Sequence, residues 1–186
     1  MVMQKNTAIV PIIVLLALLF VAGCASENPA AMAGSPQTSF GLNTQVFFCH
    51  QDHCADKLIG KINMAKTSID IAIYSFTLDE IADALIEAKN RGVKVRVLFD
   101  ASQAAGKYSE DERLQENGIE IKRAEKASGI MHDKIAIFDS QTVATGSFNY
   151  SNNADKFNDE NLVFLENEEI ASKYSQEFSL LWNEFQ

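Results

Sequence analysis

The chain has 186 residues, 47% of them hydrophobic and 22% charged, with three prolines. That is the make-up of one ordinary globular domain with a sizeable core, and it leaves too little length for two. A formal net charge of −9 argues against the broad basic footprint that carries non-specific nucleic-acid binding, though not against a small local basic patch.

In chain order, Lys5 precedes an apolar run of 15 residues, Ala8 to Ala22, interrupted by Pro11. The run is shorter than the roughly 20 residues of a spanning helix and reads as a signal peptide over residues 1–23. The small residues of "FVAGC" directly before Cys24 resemble the lipobox of prokaryotic lipoproteins. That resemblance implies lipidation of Cys24 and a membrane-anchored, exported protein on the extracytoplasmic side. Cleavage there removes one lysine and no acid, which leaves the mature chain more acidic still. Residues 24–43 are small and polar, with Pro29, Gly34 and Pro36 and no periodicity, as in a flexible tether. The globular domain is therefore expected over residues 44–186.

Cys49 and Cys54 enclose "CHQDHC". In an exported protein an even number of cysteines points first to a disulfide. His50 and His53 leave a zinc set open as an alternative, although four ligands within six residues hardly reach one tetrahedral ion. Free thiols are the third option.

The domain alternates strand and helix signals. "QVFF" (Gln45–Phe48) is a short strand, and Asp52 to Lys66 has helical spacing with Leu58, Ile59, Ile62 and Ala65 on one face. "SIDIAIYSF" (Ser68–Phe76) reads as a strand. "TLDE" (Thr77–Glu80) forms a capping box for a helix that runs to Arg91 and stops at Gly92. "VKVRVLF" (Val93–Phe99) puts its valines and Phe99 on one face and Lys94 and Arg96 on the other. A helix near Ser109–Asn117 and a strand at Ile119–Lys122 follow. Strands at His132–Asp139 and Thr142–Ser147 pair across a tight turn at Ser140–Gln141. A last strand (Asn161–Leu165) leads to a closing helix from Ile170 to Phe185, with Tyr174, Phe178, Leu181 and Phe185 inward. The alternation predicts an α/β sandwich, a single domain around a mixed β-sheet.

The chemistry lies in "HDKIAIFDSQTVATGSFN". Residues two apart on a strand share a face, so His132 pairs with Lys134 and Ser147 with Asn149. A hairpin would bring these four to one sheet end. A histidine can attack as a nucleophile, while a lysine and an asparagine supply donors to phosphoryl oxygens in the transition state. The residue types fit metal-free phosphodiester transfer, with no metal and no cofactor implied.

This stretch resembles the H-x-K-x4-D-x6-G-S-x-N signature of the phospholipase D superfamily, and "AKTSIDIAIYSFT" and "NRGVKVRVLFD" look like its small single-motif, endonuclease-type members. The resemblance covers residues 44–186 and implies a phospholipase D-like α/β/α sandwich. It implies that His132 forms the phosphohistidine, that Lys134 and Asn149 bind phosphate oxygens, and that Ser147 lies beside the site. Asp139 takes the motif aspartate's position, with a structural role, and Glu160 that of a glutamate orienting the histidine.

Two-step transfer also needs a second acid/base. The motif occurs once and the remaining histidines are His50 and His53, so the resemblance implies a homodimer in which two copies of His132 meet. A nucleic acid substrate, DNA or RNA, comes first by size and motif number. Lys94, Arg96, Lys107, Lys122, Arg123 and Lys126 could supply local positive charge. A phospholipid substrate fits the membrane tether, but no apolar entry loop stands out in the sequence. A non-enzymatic surface lipoprotein is the third reading.

Overall fold

The computed structural model describes residues 43–185. The expected signal peptide, Cys24 and the tether as far as residue 42 lie outside the described residues.

Seven strands form one mixed sheet: β1 Asn43–Phe48, β2 Ser68–Ile73, β3 Lys94–Asp100, β4 Glu120–Ala124, β5 Lys134–Phe138, β6 Thr142–Gly146 and β7 Asn161–Glu166. Their order is β1-β7-β6-β5-β2-β3-β4. β2, β3 and β4 run parallel. β5 is antiparallel to β2, and β5, β6, β7 and β1 continue antiparallel to the edge. This is the expected α/β/α sandwich around a mixed sheet.

Alternation along each strand separates two cores. Ile69, Ile71, Ile73, Val95, Val97, Phe99, Ala136, Phe138 and Phe164 pack against α2 (Cys54–Met64) and α3 (Asp79–Asn90). Ala72, Leu98, Ile135, Ile137 and Val143 face α7 (Glu168–Glu184), which buries Phe178, Leu181 and Trp182. Each buried Val, Leu, Ile or Phe among them contributes about 1.5–3 kcal/mol. The valines and Phe99 of β3 share one face as expected. On the other face Arg96 forks onto the Asp70 carboxylate at 2.7 and 2.8 Å beneath the rings of Phe178 and Trp182.

Three local expectations change. The helix expected from Asp52 is broken at His53, which has φ 55°, between α1 (Cys49–Asp52) and α2. The Cys49–Cys54 disulfide closes that corner, and among the described residues no cluster of His, Cys, Asp and Glu could hold a metal ion. The Thr77 capping box does not form. α3 starts at Asp79 without a side-chain cap, because the Thr77 and Leu78 amides donate instead to the Tyr150 carbonyl, at 2.7 and 3.1 Å. The β5–β6 turn centres on Asp139 and Ser140, both at positive φ (53° and 56°), and closes with Gln141 N donating to Phe138 O. These are the dihedral signs of a type I′ turn, whose twist matches a hairpin.

Three short helices escape the periodicity reading: α1, α4 (Ala101–Ala104) and α6 (Asn152–Lys156). Each is a turn or so long and has no room for a repeat. α5 (Asp111–Glu116) lies inside the expected Ser109–Asn117.

Candidate active site

The site end of the sheet is where β2 and β6 finish and β5 and β7 begin. β2 pairs Ile73 with Lys134, and one step beyond it Tyr74 N donates to Asp133 O at 2.9 Å. His132 therefore stands just ahead of β5 and not within it, which corrects the expected strand start. The cause is the preceding residue: Met131 N is taken by the buried Asp100 carboxylate at 3.0 Å, so the chain turns in toward the end of β3 before it joins the sheet. The His132 side chain is left exposed.

His132 and Lys134 meet around one ring. The imidazole lies 4.5 Å from the Tyr74 ring centroid, and Lys134 Nζ is 4.9 Å above the same ring. Nζ also donates to the His132 carbonyl at 2.7 Å. Lys134 is only 9% exposed, and a buried ammonium is costly unless it is partnered. Burial pushes its pKa below the ordinary lysine value, and the charges of Asp133 and Glu160 oppose that shift. Glu160 is thus close enough for its charge to act on Lys134.

β6 and the segment after it supply the opposite wall. Gly146 pairs with Leu162 at φ 148°. A Cβ there would stand 2.3 Å from the Asn161 carbonyl oxygen, so a glycine is required. That close approach lets the Ser147 and Phe148 amides donate to Asn161 O at 3.1 and 3.2 Å, while Ser147 Oγ accepts from Asn161 N at 3.1 Å. Ser147 therefore joins the ends of β6 and β7. Tyr150 bonds through its amide to Ser75 O and through its carbonyl to Thr77 and Leu78, which straps the Asn149 segment to the extension of β2. Asn149 Oδ1 is buried with no hydrogen-bond partner. Such a group costs about 1–3 kcal/mol until something pairs with it. Glu160 precedes β7 and accepts from Asn158 Nδ2 at 3.1 Å.

Asp139 stands apart, at the far end of β5. Its carboxylate accepts from the amides of Lys66, Thr67 and Ser68 and from Thr67 Oγ1, at 2.7–3.1 Å. Burial alone would raise its pKa. The donors of Thr67, Ser68 and Lys66 together outweigh that and hold it below the ordinary aspartate value. The residues that could have supplied local positive charge are mostly engaged elsewhere. Arg96 is held by Asp70, Arg123 by Asp111, and Lys122 by the carbonyls of Trp182 and Phe185. Lys94 and Lys126 lie 3.9 Å from Glu120 and Glu184. Of the six, Lys122 and Lys107 have no acidic partner among the described residues, and Lys122 is taken by backbone carbonyls.

Sequence reasoning missed a supporting chain. Asp100 holds Met131 N and also caps α4 through the amides of Ser102 and Gln103. Gln103 Nε2 in turn donates to the Tyr74 hydroxyl at 3.1 Å, and Tyr74 backs His132. The available signal was position, because Asp100 ends a parallel strand, where α/β sheets open their sites.

Geometry of this kind, with one histidine, one lysine and two amide or hydroxyl side chains on a mixed sheet, is that of the phospholipase D superfamily, and the chain belongs to it. Residues 58–182 match the family model described as "Cardiolipin synthase, PLD-like domain". The chain is 40% identical over 123 residues to a phospholipase D of Rickettsia conorii, covering 66% of this chain and 61% of that protein. It is 30% identical over 145 residues to a mitochondrial cardiolipin hydrolase of Chlamydomonas reinhardtii, covering 74% and 65%. It thus spans less than two thirds of the length of these curated relatives. Among solved structures, the phospholipase D family member Nuc of Salmonella typhimurium is similar at TM-score 0.73 and 32% identity, over 78% of this chain and 97% of that one. NucT of Helicobacter pylori is similar at 0.73 and 29%, over 77% and 98%.

Proposed function

We propose that the chain is a metal-independent phosphodiesterase, an endonuclease that hydrolyses DNA or RNA through a phosphohistidine on His132. The observation that carries this reading is the convergence of His132, Lys134, Ser147, Asn149 and Glu160 at one sheet end, with the Lys134 ammonium buried there on a single carbonyl and a ring. The likeness to Nuc and NucT over nearly their whole length supports this reading, while the phospholipase D and cardiolipin hydrolase relatives fit a lipid substrate as well.

On this reading the His132 ring attacks phosphorus and forms a P–N bond as the P–O bond to the leaving alcohol breaks. Lys134 and the Asn149 amide hold the non-bridging oxygens as charge shifts onto them. A second acid protonates the leaving oxygen, then takes a proton from the water that attacks phosphorus and breaks the P–N bond. That second group is His132 of another copy, so the active species is a dimer. Asp139 takes no part in the chemistry. The domain works on the extracytoplasmic side, held by a lipid on Cys24.

The test is cleavage of plasmid, single-stranded DNA and RNA by the full chain, with and without chelator, alongside His132→Ala. Chelator-resistant cleavage that the variant lacks is expected, from a species that sediments as a dimer. Chelator-sensitive cleavage, or a fully active monomer, would overturn the mechanism.

A phospholipid at a membrane surface is the second reading, and one observation favours it. Phe48, Tyr108, Ile130 and Phe157 are all exposed in segments at the site end of the sheet, an apolar rim that the sequence did not reveal. Hydrolysis of phosphatidylcholine vesicles without nucleic-acid cleavage would select it.

A further inference from the structure

Beside the motif residues lies a cleft of about 250 Å³ lined by Phe48, His50, Gln51, Asp159, Glu160 and Asn161. It shares a wall with the site. Glu160 acts on Lys134, and Asn161 is held by Ser147. Its other wall is built with unusual economy of motion. The Cys49–Cys54 disulfide closes the turn that carries His50 and Gln51, Cys49 N donates to Glu160 O at 3.0 Å, and Phe48 N donates to Asp52 Oδ2 at 2.9 Å. Yet what this stapled turn presents is not core: Phe48 is 58% exposed, and His50 and Gln51 are exposed too. An aromatic side chain on a backbone restrained in this way, at the lip of a cleft, is an entropically cheap platform for a flat ligand, because little backbone motion is lost on binding.

We propose that this cleft is a subsite for a nucleobase next to the scissile phosphate; the inference rests on the nuclease reading above. Three features select that ligand. Phe48 offers a face on which any base stacks. Asp159 and Glu160 repel a second phosphate, so the cleft takes the uncharged part of the nucleotide and leaves the phosphate to Lys134. The carboxylates and the Gln51 amide accept hydrogen bonds, which favours bases that carry an exocyclic amino group. The subsite also gives an acidic protein a way to hold nucleic acid without a basic surface.

The experiment uses the full chain and single-stranded oligonucleotides with one cleavable phosphodiester among non-hydrolysable linkages. The base on each side is replaced in turn by an abasic residue. For the wild type, removing the base on one side is expected to lower kcat/KM roughly tenfold, the scale of one stacked base. Phe48→Ala should cost the intact substrate a similar factor and cost the abasic substrate nothing further, while Phe48→Trp restores the intact substrate. Effects that multiply, or a Phe48→Ala variant that folds normally and cleaves both substrates like the wild type, would overturn the subsite and leave the nuclease reading standing. A wild type that cuts no oligonucleotide sinks the nuclease reading itself. If it then hydrolyses phosphatidylcholine vesicles in a Phe48-dependent way, the cleft is a headgroup site and the base proposal is wrong.

Discussion

Strand β5 carries polar motif residues at both ends, and the two ends treat them in opposite ways. At the Asp139 end the carboxylate is saturated: three amides and a hydroxyl converge on it, and they tie the hairpin turn to the start of β2. At the other end Lys134 is buried with one carbonyl and one ring for company, His132 is exposed, and a buried Asn149 oxygen has no partner at all. Satisfied polar groups fix a fold, and unsatisfied ones wait for a ligand. The same 18-residue stretch thus contains a structural clamp and a reactive site about one strand length apart.

The sharpest way to break this contrast is His132→Ala. The side chain is exposed and packs on the Tyr74 ring, so the variant should unfold within about 0.5 kcal/mol of the wild type. Its turnover should fall at least about a thousandfold, as for loss of a nucleophile. Chemical denaturation and initial rates on a nucleic-acid substrate check both halves. A variant that loses activity because it has lost stability would erase the distinction between the two ends.

Lys134→Met comes next. Activity should fall by about 10² to 10³, as for a lost donor to a developing charge, while stability holds or rises because a buried ammonium is removed. The sign follows from the lowered pKa. Folding disfavours the protonated lysine, so the wild type is penalised at neutral pH. The penalty lifts as pH rises through the depressed folded value toward the ordinary one. The stability gap between variant and wild type, followed by urea unfolding across alkaline pH, should therefore close from below.

Asp139 should behave in reverse. Asp139→Ala removes every one of those acceptor contacts and places alanine at φ 53°, which together cost about 2–3 kcal/mol, with turnover within about twofold of wild type. Asp139→Asn tolerates the backbone and isolates the charge. Because the folded pKa is depressed, the stabilisation is present above the ordinary aspartate value and is lost as pH falls through the folded one. Thermal unfolding curves of wild type and Asp139→Asn should converge in acid.

What could be read from the sequence follows the same division. The valine face of β3 and the closing helix were legible because each is a periodic pattern that one core enforces. Three features were not, and each depends on a contact distant in sequence. Glu80 could not bond back to the Thr77 amide once the Tyr150 carbonyl had taken it. β5 could not begin at His132 once Asp100 had claimed Met131. Of the lysines and arginines that looked available for a polyanion, Arg96 and Arg123 were already paired with Asp70 and Asp111, and Lys122 with carbonyls at the end of α7. Charge counts alone cannot see such pairings.

The smallest predicted effect tests how far the reactive end extends into its support. Tyr74→Phe keeps the ring against His132 and over Lys134 but deletes the hydroxyl that accepts from Gln103. If the ring alone positions the imidazole, turnover is unchanged. If the chain from Asp100 through Gln103 holds the ring, kcat should fall a few-fold with KM and stability nearly constant, because misorientation affects the attacking group and not binding. Tyr74→Leu, which removes the ring, should cost roughly tenfold more and let Lys134 Nζ move. A Tyr74→Phe variant that loses substrate affinity instead of turnover would mean that the hydroxyl faces the substrate and that Gln103 is only its resting partner.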